Sequence, residues 1–140
     1  TLNSELFHQT AEKFQDTKII EQIGYGLVTL IENGEINSPE INKLLQSYLE
    51  PMIEANIDYL VLGCSHYPYL IPQIEKILPK HIKIIDSGEA VARQTKKLLA
   101  ESVGLSNDTQ KGKALFYTNA NPKVLSDILN NKYEVKSKDF

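Results

Sequence analysis

The stretch DYLVLGCSHYPYL, residues 58–70, contains an apolar run that ends at Gly63 and is followed at once by the only cysteine of the chain, Cys64. The run YLVLG is apolar without alternation, which predicts a strand buried on both faces of a parallel sheet. Ser65 and His66 come directly after the cysteine. The stretch therefore predicts a buried strand whose carboxyl end carries a thiol, a hydroxyl and an imidazole.

The segments around this stretch alternate between helical and extended patterns. The spacing of apolar residues and the capping residues predict helices at 4–14, 26–34, 38–52, 72–78, 87–101 and from Asn121-Pro122 onward. Short β-branched or apolar runs predict further strands at 17–23, 81–86 and 113–119. Residues 105–112 read as a polar loop, and the tail 133–140 favours neither helix nor strand. The alternation predicts the α/β class, with a parallel sheet flanked by helices and right-handed crossovers.

The composition is that of an ordinary globular protein, with 140 residues, of which 41% are hydrophobic and 24% are charged. A net charge of -3 gives no basic face for nucleic acid, and no apolar run is long enough to span a membrane. A single cysteine cannot form an internal disulfide, and no signal-peptide pattern opens the chain, so we expect a cytoplasmic location. Because the first residue is Thr1 rather than Met, we expect a processed, excised or truncated chain.

Cys64 is the leading candidate for a catalytic residue. Ligands of parallel α/β sheets bind outside the carboxyl ends of the strands, which is where the predicted strand places this thiol. The thiol could act as the nucleophile of a hydrolase or as a base toward a carbon acid. The three histidines, at positions 8, 66 and 81, are scattered and predict no metal site. The alternative is a buried, inert cysteine in a non-catalytic α/β binding module, with His66 as a turn residue.

The segment LGCSHYPYLIPQIEKILP, residues 62–79, resembles the second-cysteine motif of glutamate racemases, in the aspartate/glutamate racemase superfamily. The usual form of that motif is Leu-Gly-Cys-Thr-His-Tyr-Pro, followed by an apolar helix. Three other segments, VTLIENG (28–34), IDSGEAVARQTKKLL (85–99) and FYTNANPKVL (116–125), also resemble the family. The resemblance extends over nearly the whole chain.

The resemblance implies a two-domain α/β racemase fold with the substrate between the domains. Residues 1–87 would form most of the second domain, and residues 88–140 would be the returning segment of the first. The family racemises glutamate without pyridoxal phosphate or metal, using two cysteines on opposite sides of the α-carbon, so no cofactor is expected.

The resemblance also implies roles for single residues. Cys64 would be the second of the two acid/base groups, and His66 would assist its thiol and contact the substrate. Ser65 stands where the family usually has a threonine and would bind the substrate. Glu32 is matched to an acidic residue near the family's site.

The family pattern also contains two elements that this chain lacks, namely the first cysteine in an Ala-Cys-Asn-Thr-Ala type motif and the Asp-Ser-Gly loop that opens the pattern. The Asp-Ser-Gly at 86–88 belongs to the later segment IDSGEAVARQTKKLL. We therefore expect a fragment that does not interconvert enantiomers alone and whose uncovered apolar faces lead to a disordered tail or to self-association. The expected whole protein binds glutamate, supplies D-glutamate for peptidoglycan and forms a homo-oligomer.

Three alternatives remain open. The first is an aspartate racemase, and the second is a cysteine-dependent hydrolase or amidase, for which no obvious third group orients His66. The third is the non-catalytic module.

Overall fold

The structure, a computed structural model, describes residues 4–106 and 112–140. Most of the predicted polar loop 105–112 lies outside the described residues. The helices are α1 (Glu5–Ala11), α2 (Leu27–Glu32), α3 (Pro39–Glu54), a 3₁₀ helix (Tyr67–Leu70), α4 (Ile71–Ile77), α5 (Gly88–Ser102) and α6 (Pro122–Ile128). The strands are β1 (Tyr59–Val61), β2 (Lys83–Ile85), β3 (Leu115–Thr118) and β4 (Glu134–Ser137). None of the helices in the described ranges combines the length and the apolar character that crossing a membrane requires.

The strands form two parallel pairs. Strand β1 pairs with β2 in the register Leu60 to Ile84, and β3 pairs with β4 in the register Phe116 to Val135. A helical crossover joins the strands of each pair, with the 3₁₀ helix and α4 in the first and α6 in the second. The predicted α/β class with parallel pairing is confirmed.

Helix α3 follows its sequence signals closely. Ser38 caps the helix by accepting a hydrogen bond from the backbone N–H of Ile41 at 3.2 Å, and Pro39 occupies the first helical position. Pro51 lies inside this helix, which continues to Glu54, three residues later. Only one backbone N–H is lost at Pro51, so the last turn still forms.

The hydrophobic core is formed by the elements on either side of Cys64 in the chain. Among the described residues, the buried apolar side chains are Leu27, Ile31, Ile41, Leu45, Leu49, Met52, Leu60, Leu62, Leu70, Ile74, Leu78 and Ile82. They come from α2, α3, β1, the 3₁₀ helix, α4 and the connections next to them, all within 27–82. This core therefore holds together the elements that lead into Cys64.

Strand β1 is buried on one face and not on both. Leu60 is 8% exposed, whereas Tyr59 is 53% exposed and Val61 is 66% exposed. The apolar side chains of α5 are also open, with Val91 61% exposed and Leu98 50% exposed. An apolar run without alternation does suit two covered faces, but the described chain covers only one face of β1.

The prediction of a strand at 17–23 is wrong. This segment forms neither helix nor strand, because no strand of the described chain pairs with it, although Ile20 packs against the core. The tail, for which the sequence favoured neither state, forms β4 beside β3. Both differences concern backbone pairing with a distant segment, which local propensity does not encode.

Candidate active site

Cys64 lies at the carboxyl end of β1, three residues after Val61. Leu62 continues the pairing with β2 by donating its N–H to the carbonyl of Ile85 at 2.8 Å. The chain then turns, and the N–H of Tyr67 donates to the carbonyl of Cys64 at 3.2 Å. Cys64 is half-buried, so it is not the fully buried cysteine that the non-catalytic alternative requires.

The helical structure after Cys64 begins earlier than the sequence predicted. A helix was expected at 72–78, but the 3₁₀ helix already begins at Tyr67 and leads directly into α4. The prolines Pro68 and Pro72 each occupy an early position of these two helices, where a missing N–H costs little. The turn that carries Ser65 and His66 is therefore short and is fixed at both ends.

The imidazole of His66 lies between a thiol and a carboxylate. Its Nδ1 atom is 3.9 Å from Sγ of Cys64 and 3.4 Å from Oγ of Ser65. Its Nε2 atom is 3.1 Å from Oε1 of Glu32, which comes from the end of α2. The structure thus brings together the four residues that the sequence proposed for the site.

The pairing with Glu32 decides which ring nitrogen of His66 carries a proton. When the carboxylate of Glu32 is ionised it only accepts hydrogen bonds, and Nε2 of His66 is then the donor. In the neutral imidazole, Nδ1 is then an acceptor that faces the thiol and the hydroxyl. The arrangement lets a proton move between Sγ of Cys64 and Nδ1 of His66, while Glu32 holds the ring in orientation.

The Glu32–His66 pair contributes little to stability. The side chains are 62% and 33% exposed, respectively, and exposed ion pairs stabilise proteins by about 1 kcal/mol or less. The expectation that no third group orients His66 is wrong, since Glu32 occupies that position. The arrangement consequently suits the hydrolase alternative as well as an acid/base thiol.

The position of Glu32 follows from how α2 ends. Gly34 has a φ of 80°, and its N–H donates to the carbonyl of Ile31 at 2.9 Å. The N–H of Glu35 donates to the carbonyl of Leu30 at 2.8 Å, which completes a Schellman motif. Ile31, next to Glu32, is fully buried, so the helix end is anchored in the core and the carboxylate is held at the surface.

Tyr67 is a site neighbour that the sequence interpretation missed. Its hydroxyl donates to the carbonyl of Gly24 at 3.4 Å. Burial raises the pKa of Tyr67 above its ordinary value of 10.0, and the nearby charge of Cys64 raises it further, while the Gly24 hydrogen bond opposes the rise. The glycines on either side of Tyr25, in IGYGLV, were the available signal for a close approach of two chain segments.

Within residues 4–106 and 112–140, no three histidine, cysteine or acidic side chains lie close enough to hold a metal ion. The expectation that no metal or cofactor takes part stays a prediction. The described site offers acid/base groups and hydrogen-bonding groups.

Comparison with known proteins places these residues in context. Over 130 residues the chain is 42% identical to a glutamate racemase of Pseudomonas putida, and the alignment covers 92% of this chain and 49% of that relative. The chain is a homologue of the glutamate racemases. It spans about half the length of the curated relatives that it matches. No model of a protein family matches the sequence.

Solved structures of glutamate racemases share the fold. The enzyme from Bacillus anthracis superposes with a TM-score of 0.77 at 24% identity, over all of this chain and 54% of that one. The enzyme from Francisella tularensis, solved in complex with D-glutamate, gives a TM-score of 0.75 at 23% identity, over 99% of this chain and 54% of that one. The resemblance to glutamate racemases that residues 62–79 first indicated is confirmed.

Proposed function

We propose that this chain is the part of a glutamate racemase that carries one of two acid/base thiols, Cys64. The single observation that carries the proposal is the series of contacts from Cys64 to His66 to Glu32, at 3.9 Å and 3.1 Å, at the carboxyl end of β1. The sequence identity to glutamate racemases supports the choice of reaction and substrate.

In this proposal the thiolate of Cys64 removes the α-hydrogen of glutamate as a proton, and the bond electrons remain on the α-carbon. A second thiol, in the half of the relatives that this chain does not match, donates a proton to the opposite face. The reverse reaction exchanges the two roles. His66 takes the proton of Cys64 to prepare the thiolate, and Glu32 keeps the imidazole in the required orientation.

The α-hydrogen of an amino acid is only weakly acidic, so the developing charge needs fixed hydrogen-bond donors and exclusion of water. We assign Ser65 to substrate binding through its hydroxyl. His66 would contact the substrate as well as the thiol, since its ring lies next to Cys64 and to the Ser65 hydroxyl in the same turn.

We further propose that residues 1–87 form most of one racemase domain and that residues 88–140 return to the other. The buried core of the described residues is confined to 27–82, and the apolar side chains of α5 are exposed, which is consistent with α5 belonging to another body. The whole protein would then act in the cytoplasm as a homo-oligomer and supply D-glutamate for peptidoglycan.

The decisive test is made in the complete protein that contains this chain. Cys64→Ser should abolish the interconversion of D- and L-glutamate, followed by circular dichroism, because one face of the α-carbon loses its acid/base group. Glu32→Gln should lower kcat with a smaller effect on KM, since the carboxylate orients the imidazole and does not bind substrate. Gln46→Ala, an exposed change on α3, should leave both constants unchanged.

Two results would contradict the proposal. One is racemisation at the original rate by the Cys64→Ser protein. The other is normal turnover by the 140-residue chain alone, because one cysteine cannot serve both faces of the α-carbon.

A cysteine hydrolase is the second candidate, and the contact between His66 and Glu32 favours it because it supplies an orienting group for the histidine. Such an enzyme would form an acyl-enzyme on Cys64 and release it to water. Incubation with p-nitrophenyl acetate, followed by mass spectrometry, distinguishes the candidates. A hydrolase shows an acetyl adduct on Cys64 that turns over, whereas an acid/base thiol shows at most a slow, lasting modification.

A further inference from the structure

A cleft with a volume of about 320 Å³ is lined in part by Pro68, two residues after His66. Its walls come from the α2–α3 connection, from the start of α4 with the preceding 3₁₀ helix, and from the end of α6. The lining residues are Ile36, Asn37, Pro68, Tyr69, Pro72, Gln73, Asp127, Ile128 and Asn130. Pockets that bind small molecules begin at about 300 Å³, so the cleft has room for a small ligand.

Gln73 gives this cleft an unusual polar feature. Its side chain is only 5% exposed, and it is the buried polar residue of the described chain. Its Nε2 donates to Oδ1 of Asn37 at 2.6 Å, but its Oε1 is buried and has no hydrogen-bond partner among the described residues. Leaving a buried acceptor without a hydrogen-bond partner destabilises the folded protein.

The unpaired oxygen can reach a partner in the cleft. Gln73 lines the cleft, and the terminal torsion of a glutamine side chain is soft, so the Gln73 amide can adjust to a donor placed in the cleft. A ligand that donates an N–H there would remove the cost of the unpaired acceptor. Most buried polar groups in folded proteins have a hydrogen-bond partner, so a ligand N–H donor would bind at this oxygen.

The rest of the lining limits the ligand further. Asp127 contributes a carboxylate, and the described lining includes no lysine, arginine or histidine. Lys123 pairs with Asp127 at 2.7 Å but is itself exposed and outside the lining. Ile36 and Ile128 supply apolar surface. These features favour a cationic or neutral donor on an apolar body and disfavour an anion.

We propose that this cleft is a binding site for a small organic amine, whose N–H groups pair with Gln73 and Asp127 and whose apolar part packs on Ile36 and Ile128. The inference does not depend on the proposed racemase activity. The cleft and the candidate active site are nonetheless close in the chain, since Pro68 lines the cleft and follows His66 by two residues.

The test uses the isotope-labelled 140-residue chain, titrated with benzylamine and followed by proton–nitrogen correlation spectra. The expected result is a saturable shift of the Gln73 side-chain amide and of the backbone amides of Tyr69 and Ile128. Benzoate, an anion of similar shape, should produce no saturable shift at these positions.

Substitutions separate binding from folding. Gln73→Met keeps a side chain of similar length without the acceptor and should weaken benzylamine binding about tenfold, which corresponds to about 1.4 kcal/mol. Asp127→Asn, at an exposed position where folding is not at risk, should also weaken it. Gln46→Met, an exposed change on α3, should have no effect.

The proposal is overturned if benzoate binds as well as benzylamine, or if both Gln73→Met and Asp127→Asn leave the affinity unchanged. It is equally overturned if no saturable shift occurs, in which case an ordered water would be the only partner of the Gln73 oxygen.

Discussion

Replacing Gly24 with alanine tests how the turn at Cys64 is held. A Cβ atom at position 24 would lie 2.6 Å from Oη of Tyr67 and 2.7 Å from Cδ1 of Leu27. Favourable contacts between carbon atoms lie at about 3.5–4.0 Å, so Cδ1 of Leu27 must withdraw by about 1 Å, and Oη of Tyr67 must also move. Neither can do so freely, because Leu27 is buried and the Tyr67 hydroxyl donates to the carbonyl of Gly24 itself.

The magnitude follows from two opposing effects. Inserting a methyl group into a packed site costs about 1–3 kcal/mol. Alanine also restricts the unfolded chain, which stabilises the protein by about 0.4–1 kcal/mol where the backbone conformation permits it. We expect Gly24→Ala to lower the free energy of unfolding by about 1–2 kcal/mol net. At about 3 °C per kcal/mol, Tm should fall by about 3–6 °C.

Urea and thermal unfolding, followed by circular dichroism, measure this change. The matched control is Gly63→Ala, because, apart from position 63 and its two chain neighbours, no described atom lies within 4 Å of the Cβ that this change would add. The control should be neutral or slightly stabilising. If Gly24→Ala proves as stable as Gly63→Ala, the contact between Tyr67 and Gly24 does not hold the turn, and the reasoning is refuted.

Two further predictions concern pH and association. Burial raises the pKa of Tyr67 in the folded state, so the folded protein favours the neutral phenol. The stability that the neutral Tyr67 side chain contributes is intact below pH 10.0 and is lost as pH rises through the folded pKa. Urea midpoints measured at increasing pH should therefore fall less steeply for Tyr67→Phe than for the unchanged protein, and parallel slopes would contradict this. The exposed apolar side chains Val91 and Leu98 of α5 should make the isolated chain self-associate, and Val91→Glu with Leu98→Glu should return a monomer in sedimentation experiments. A monomer before substitution would rule out this role of α5.

Elements with strong local signals could be predicted from the sequence. The cap at Ser38, the proline at position 39 and the helical spacing that follows were sufficient to locate α3. The run ending at Gly63 located β1 and placed Cys64 at its carboxyl end. Glu32 was suggested only through the family resemblance, and the structure places it against His66.

The remaining features depend on contacts between distant segments. Residues 17–23 have the β-branched composition of a strand, but a strand also needs a partner, and composition does not reveal whether one exists. Strand β4 is the opposite case. Its sequence pattern is weak, but pairing with β3 stabilises the strand. The contact between Tyr67 and Gly24 joins residues 43 positions apart, and only the fold brings them together.

The groups around His66 differ in how far along the chain they originate. Cys64 is two positions away, while Glu32 is 34 positions away and sits on a helix that must dock through the core. Local loosening of α2 would therefore remove the carboxylate first and leave thiol and imidazole still neighbours. Such a partly opened molecule would keep the thiol beside the imidazole but lose the carboxylate that orients the ring. The arrangement around His66 would therefore be lost before the turn itself opens.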